Sequence, residues 1–435
     1  MANVVLNPQI IASTAARILE NELVMTRRVY RGYEEEFEKK VNGYDVGDTI
    51  SIRKPQQFRV RTGAVASLQD MAEGKMSLTV NLQRGIDFGF TGVELTLKIE
   101  TLAERVIKPA MIRLANQIDV DLMSLYSSVP NWVGQPVTGA DAVIDSFAKF
   151  ARGTERLDQF GVPQDDRSAV LSPESYWALA GSQTALFMQQ IGNQAYRQGE
   201  IGQIGGVATY MSQNVPTFVG PGNLDAPATV TGAQSTTWAA VKDTEAMPGT
   251  MSLVTGAWTG ATVKAGTVFT IGSGATAVKA VNPQTKAVLP FQQMFTVVAD
   301  AAVTTGAATL TITPPIIPAA GAANADLPWV TTDIGAGAGA ALNIVGDASG
   351  AYRQNMIFHR NAFALVMVPM VKAPGAVDVA RETYKGTSVR LIPYYDGTND
   401  ISNYRLDVLY GVKVIDNRLA VRVSGGSGTV GNPSL

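Results

Sequence analysis

Residues 97–125 read LKIETLAERVIKPAMIRLANQIDVDLMSL. Ile99, Leu102, Val106, Ala110, Leu114, Ile118, Leu122 and Leu125 recur every three or four residues, which draws one continuous apolar stripe along a helix. At 1.5 Å per residue such a helix spans roughly 40 Å. Pro109 lies inside it. A proline there removes one backbone donor and crowds the carbonyl of Arg105. The stripe nevertheless continues to Leu125, so a bend rather than an end is expected. Asp119 and Asp121 are two positions apart and point to different faces, which excludes a carboxylate pair and suggests salt bridges to solvent or across an interface.

On the N-terminal side of this helix the pattern changes to period two. Met76, Leu78, Val80 and Leu82 alternate with Ser77, Thr79 and Asn81, and Ile86 to Thr91 forms a further short strand. An earlier strand runs Gly47-Asp48-Thr49-Ile50-Ser51-Ile52-Arg53 and is stopped by Pro55. Between the strands lie about twenty residues with few large apolar side chains, chiefly Phe58, Leu68 and Met71. The reading is a long two-stranded projection with an irregular tip. An isolated hairpin is marginal in water, so this one must rest on something else. Arg53, Lys54, Arg59 and Arg61 sit on the outgoing arm, Asp70 and Glu73 on the return.

Asn7-Pro8 supplies an N-cap followed by proline at the first helical position. Ile10, Ile11, Ala15, Ile18, Leu19 and Leu23 then follow helical spacing. Ile11, Ile18 and Leu23 are expected to be buried against another element or another subunit. The charged run of Arg31, Glu34, Glu35, Glu36, Glu38, Lys39 and Lys40 reads as a solvated linker or helix face.

C-terminal to the long helix, a second helix from about Ala140 to Phe160 ends at Gly161-Val162-Pro163. A buried strand Ala169-Val170-Leu171, a helix opened by Ser172-Pro173, a polar glutamine-rich stretch over 181–200 and a strand Val207–Met211 follow. From about Gly220 to Gly350 charges become sparse, and Ala, Gly, Thr and Val dominate. Val268-Phe269-Thr270-Ile271, Phe295-Thr296-Val297-Val298 and Thr309-Leu310-Thr311-Ile312 are short alternating strands separated by turns, the pattern of a small barrel or sandwich. Pro221-Gly222 and Gly335–Gly339 look like hinges. Bulkier strands return at Ile357–Val368, Ser388–Ile392 and Arg405–Val423.

Composition narrows the function. The 435 residues are 46% hydrophobic and 17% charged, enough for a large core. Zero cysteines exclude a disulfide scaffold, a cysteine nucleophile and thiolate metal sites; one histidine excludes a multi-histidine zinc centre. Thirty-five basic against 37 acidic residues give a net charge of −2 and no strong pull toward nucleic acid or anionic membrane. The N-terminus lacks a signal-peptide pattern, and the densest apolar run, Ala362–Val371, is about half a membrane span. His359 has no nucleophile or carboxylate beside it in sequence and reads as structural. Gly202–Gly206 leads into a strand and fails as a phosphate loop. The five tryptophans, Trp132, Trp177, Trp238, Trp258 and Trp329, are scattered and form no ladder for single-stranded nucleic acid. No catalytic residue, cofactor or metal is expected, and the chain does not read as an enzyme.

The order of elements, together with specific stretches, resembles the phage P22 coat protein family of tailed bacteriophages, with its HK97-type fold. Thr91-Gly92-Val93-Glu94-Leu95-Thr96-Leu97 running into Val106-Ile107-Lys108-Pro109-Ala110 resembles the entry to that family's spine helix. Gly161-Val162-Pro163, Val170-Leu171-Ser172-Pro173 with Tyr176, and Ile204–Tyr210 resemble its middle. Thr229–Ser235 resembles the start of its inserted domain; Asn355–Phe363 and Leu406–Val412 resemble its C-terminal part. The resemblance covers nearly the whole chain, and the inserted region departs most, being poor in charge.

It implies an α+β fold with an N-terminal arm (1–42), an extended hairpin with return strands (43–92), a spine helix of a peripheral domain (93–137), an axial α/β domain (138–221), an inserted all-β, barrel-like domain (222–345), the remainder of the axial and peripheral domains (346–423) and a flexible tail (424–435). It also implies a major capsid protein that self-assembles as pentamers and hexamers into an icosahedral shell. Scaffolding and portal proteins are its expected partners, and the shell encloses double-stranded DNA without sequence-specific contacts. It is made in the host bacterial cytoplasm, ends in the virion and involves no membrane. Candidate inter-subunit contacts are Ile11, Ile18, Leu23, Arg59, Arg61, Asp70 and Glu73, with Pro109 as the spine-helix kink. An encapsulin-like nanocompartment shares the fold, but the large inserted domain argues against it. A β-rich surface or adhesion protein would share the composition of 220–350 without needing the spine helix. Nothing in the sequence pairs Lys54 or Lys75 with an asparagine for a covalent cross-link.

Overall fold

The computed structural model describes residues 8–38, 40–41, 44–45, 47–61, 63–66, 72–91, 106–134, 143–184, 202–220, 228–259, 262–323, 326–346, 349–372 and 379–426. The chain forms two compact units. One comprises residues 1–50, 77–122 and 364–413, the other residues 51–76, 123–363 and 414–435.

In the first unit the arm helix is Pro8–Glu22. Its buried side, Ile11, Ala12, Ala15, Ala16 and Leu19, has the three-to-four spacing of an amphipathic helix and packs on the antiparallel strands Ala380–Tyr384 and Thr387–Asp396. Alanines at the contact let the helix approach the sheet closely. Ile18, expected inside, is only half-buried; Leu19 beside it takes the fully buried position. The strand Ile401–Val414 joins the sheet between Thr387–Asp396 and Phe363–Met367, and Leu82–Thr91 pairs along it from Leu82↔Tyr410 to Thr91↔Ile401.

The spine helix is described from residue 106. A wide π-type turn at 106–107 precedes α-helix Lys108–Met123, and a 3-10 turn, Ser124–Ser128, follows. Ile107, Met111, Leu114, Ala115, Ile118 and Leu122 form its buried stripe. Pro109 is exposed and sits just after the wide turn, where a missing amide hydrogen interrupts the regular ladder. Among the described residues the α-helix proper begins at Lys108, so Pro109 stands in its first turn, where a proline is tolerated. The stretch 97–105, which a bend would involve, lies outside the described residues.

In the second unit a six-stranded sheet runs Trp132–Val133, Ala420–Val423, Asn355–His359, Arg167–Leu171, Val207–Met211, Gln203–Ile204. The pairs 132–133 with 420–423 and 167–171 with 207–211 are parallel, and the remaining pairs are antiparallel. Helices Phe147–Gln159 and Pro173–Thr184 contribute Phe150, Leu157 and Leu179 to a core shared with Leu171, Ile357, Val421 and Val423. Ile357–Val368 is not one strand as read from sequence. A 3-10 turn, Arg360–Ala362, divides it into Asn355–His359 and Phe363–Met367, which enter different sheets. His359 caps that turn, its Nδ1 accepting from the Asn361 amide at 3.2 Å. Arg405–Val423 is divided in the same way, by the turn Asn417–Leu419.

The insertion leaves and returns side by side: Thr217–Val219 pairs antiparallel with Ala351–Arg353, and the Gly220 amide reaches the Gly350 carbonyl at 2.8 Å. Between them a sheet runs Thr229–Val230, Met251–Gly256, Ala308–Thr313, Phe295–Val297, Val268–Ile271, Leu342–Ile344. It closes on itself through Thr229 opposite Ala341, with Leu342 N to Ala228 O at 2.7 Å and Val230 N to Ala340 O at 2.9 Å. Closure removes free edges and encloses a core of Leu253, Phe269, Ile271, Phe295, Val297, Leu310 and Ile312.

Candidate functional site

The extended loop is the element whose chemistry is not explained by its own fold. Its base is a short ladder between Thr49–Arg53 and Lys75–Thr79, held further by the Lys54 amide on the Gly74 carbonyl at 2.8 Å. Beyond Lys54 the described outgoing arm is irregular, so the two-stranded part is shorter than the sequence implies. Pro55 explains the stop, since it cannot donate to a ladder.

Both arms of the loop touch the region of residues 238–286 of the same chain. Lys54, only 2% exposed, donates its Nζ to the Thr244 carbonyl at 2.8 Å and lies 5.7 Å from the centre of the Trp238 ring. On the return arm the Trp238 indole Nε1 donates to the Ala72 carbonyl at 2.8 Å, and the Lys75 amide donates to Asp243 Oδ1 at 3.2 Å. Gly74 must be glycine here: a Cβ would meet the Lys242 carbonyl oxygen at 2.3 Å. Farther out, Lys286 Nζ donates to Gln57 Oε1 at 2.9 Å. Trp238 is held rigid by Trp329, stacked at 3.5 Å and 5°. Burial pulls the Lys54 amine down to about 8, against the opposing pull of Asp243, Glu245 and Asp416.

The tip is the opposite environment. Phe58, Val60 and Val65 are 61%, 90% and 85% exposed, and Arg59 and Arg61 are exposed beside them. Glu73 pairs with Arg53 at 3.3 Å, both in solvent; Asp70 lies outside the described residues. The structure thus places Arg59 and Arg61 together on a basic, apolar tip. Ile11 and Leu23 are far from solvent, buried within the chain's own first unit.

In that first unit, Asp119 anchors the segment following the arm helix. Its carboxylate accepts from the Val24 amide at 2.9 Å, the Thr26 amide at 3.3 Å and the Thr26 hydroxyl at 2.9 Å. Burial raises its pKa, and these hydrogen bonds oppose the rise. Asp121, on another face as expected, accepts from Arg84 Nε at 3.0 Å, Gln117 Nε2 at 2.8 Å and the Tyr410 hydroxyl at 2.5 Å. Asp119 therefore serves the fold of its own chain, which corrects the expectation for it, whereas Asp121 does form a salt bridge, to the partly exposed Arg84 at 2.9 Å. In the charged run after the arm, Arg31 and Glu34 are half-buried and Glu35 is exposed. Arg31 bonds Glu34 at 2.9 Å and lies 3.6 Å from Glu20, which in turn accepts from the Thr387 hydroxyl at 2.8 Å.

Sequence reading missed the buried guanidiniums, Arg422 and Arg156 among them, and a tryptophan pair. Arg422, fully buried, donates to the Gly266 carbonyl at 2.8 Å and the Thr296 hydroxyl at 3.0 Å, joining the central sheet to the barrel. Arg156 stacks on Phe291 at 3.7 Å. Burial lowers both, Arg422 to about 9 and Arg156 to about 10. Trp238 and Trp329 are 91 positions apart, so no local pattern could have joined them. The available signal was the rarity of large aromatics in a charge-poor segment. Among the described residues no three His, Asp or Glu side chains cluster as metal ligands, and no helix is long and apolar enough to cross a membrane.

Comparison with known proteins accounts for this arrangement. The sequence profile of the P22 coat protein (gene protein 5) matches residues 5–424. The major capsid protein of Acyrthosiphon pisum secondary endosymbiont phage 1 is 24% identical over 377 residues, covering 84% of this chain and 86% of that protein. Among solved structures, that of Mycobacterium phage Che8 aligns over 92% of this chain and 90% of its own, at 13% identity and a TM-score of 0.46. The mature capsid of bacteriophage PhiM1 aligns over 87% and 82%, at 11% identity and a TM-score of 0.40. With the profile spanning nearly every residue, the chain belongs to the P22 coat protein family: it is a bacteriophage major capsid protein of α+β fold, a subunit of an oligomeric shell.

Proposed function

We propose that this subunit assembles as pentamers and hexamers into a closed icosahedral shell around a scaffolding protein and a portal, and that the shell encloses double-stranded DNA without sequence-specific contacts. The observation that carries the reading is the loop tip, which leaves Phe58, Val60 and Val65 in water beside two arginines. Three large apolar side chains on one short irregular segment have no role in the isolated chain and fit a neighbouring copy. Arg59 and Arg61 meet acidic side chains of that neighbour. Ile11 and Leu23 serve internal packing, so the contacts between subunits centre on the tip rather than on the arm. The near-neutral charge of −2 supports a container that does not grip its contents. Pro109 acts as the point at which the spine helix changes curvature when the shell expands. The inserted barrel lies on the outer surface, helps the subunit fold and contacts neighbouring capsomers.

Expression of the full chain with and without a scaffolding protein, followed by electron microscopy, tests the proposal. Closed shells of uniform size are expected with scaffold. A chain that stays monomeric under all conditions would overturn it.

A further inference from the structure

We infer that the inserted domain also aims the extended loop, because Lys54 and Trp238 form a latch that seats the root of the loop on the barrel of its own subunit and so sets the direction in which the tip leaves. The contacts come from both arms. Lys54 precedes the exposed residues 58–61 and 63–66 in sequence and Ala72 to Lys75 follow them, so the loop is held on both arms. A chain segment held on both arms loses conformational freedom at its root, and with it much of its freedom of direction.

The residues are specific to such a joint. Lys54 follows exposed Arg53, yet its side chain runs inward, although a lysine on a projecting strand can keep its charge in water at no cost. Its direct partners are one carbonyl oxygen and one aromatic face; the carboxylates act only at longer range. A buried ammonium held this way recovers its hydration when the contact opens, so the latch is closed but openable. Gly74 permits the close approach, and the Trp238–Trp329 stack keeps the receiving surface rigid. The latch is a property of the single chain and rests on the shell function only for what the tip meets.

Hydrogen exchange on the unassembled full chain, read in peptides covering 49–57 and 72–79, tests the latch. Lys54→Met keeps the aliphatic stem and removes the ammonium. Exchange in both peptides should accelerate severalfold, and most above about pH 8, where losing the bond to the Thr244 carbonyl is progressively less offset by relief of the ionisation penalty. Peptides covering the barrel strands Val268–Ile271 and Ala308–Thr313 should keep their rates. Trp238→Phe keeps a ring against Trp329, removes the donor to Ala72, and should accelerate 72–79 in the same sense even if the lysine variant folds poorly. Unchanged exchange in both variants overturns the latch. So does acceleration spread equally through the barrel, because it identifies core residues rather than a joint. Assembly is scored separately. Misshapen or missing shells from variants of a chain that otherwise assembles support the directional role; normal shells from variants with accelerated exchange overturn it. A parent chain that forms no shells counts against the shell function and leaves the exchange result standing.

Discussion

Replacing Asp119 tests how the first unit holds its N-terminal segment. The carboxylate is 1% exposed and accepts three hydrogen bonds, two from backbone amides and one from the Thr26 hydroxyl. Asp119→Ala leaves those donors buried without an acceptor. At about 1–3 kcal/mol for each unsatisfied group, the gross loss is roughly 3–9 kcal/mol. Removing a desolvated charge offsets part of it, and the raised pKa of Asp119 says that desolvation outweighs the hydrogen bonds. A net loss of about 2–4 kcal/mol is therefore expected for alanine. Asp119→Asn keeps one acceptor and removes the charge, so its loss should be smaller, about 1–2 kcal/mol.

The pH dependence carries a definite sign. The folded pKa lies above the unfolded value, so the folded chain binds more protons between the two. Asp119 then lowers stability as pH rises from the unfolded value through the folded one, and the cost is complete above that. The gap between the native chain and Asp119→Asn should narrow as pH rises through that window. Urea unfolding of the unassembled subunit, followed by exchange of peptides covering 23–29, gives the quantity region by region, which matters because the two units need not unfold together. Alanine within about 0.5 kcal/mol of the native chain would refute the anchoring role.

Leu19→Ala should cost about 2–5 kcal/mol in thermal or urea unfolding, whereas half-buried Ile18→Ala should cost clearly less; equal losses would contradict the observed helix face. Lys54 and Lys286 have folded pKa values lowered to about 8, so their ionisation penalty disappears between about 8 and the ordinary lysine value. The native chain should gain stability relative to Lys54→Met as pH rises through that window, and a gap that stays constant would show that Lys54 is not desolvated. Phe58→Ser combined with Val60→Ser should leave subunit stability within about 0.5 kcal/mol, since both side chains are exposed, while lowering particle yield. Full yield from that variant would remove the tip from assembly.

Patterns of local period were legible in the sequence. The stripe Leu114, Ile118 and Leu122 and the alternation Met76, Leu78 and Val80 stand where hydrophobic period put them, because each side chain's direction follows from backbone geometry alone. The short strands at 268–271, 295–297 and 308–313 are also present, but Thr270 and Thr296 are buried with their apolar neighbours, so alternation is not the burial pattern of the first two. The collinear motifs carried the family. Tertiary structure decided whatever depended on which surfaces meet. Ile18 and Leu19 are both apolar, and only the packing on Ala380–Tyr384 and Thr387–Asp396 chose Leu19 for the interior. Asp119 and Asp121 looked like surface charges until the chain brought Thr26 and Tyr410 to them from 93 and 289 positions away. Strand breaks at 360–362 and 417–419 interrupt apolar runs that read as continuous, because neighbouring halves belong to different sheets. Lys54 meets Thr244 across 190 positions and Trp238 meets Trp329 across 91, so the seat of the loop exists only once the barrel has closed: period records which way a side chain points, and long-range contact alone determines what it points at.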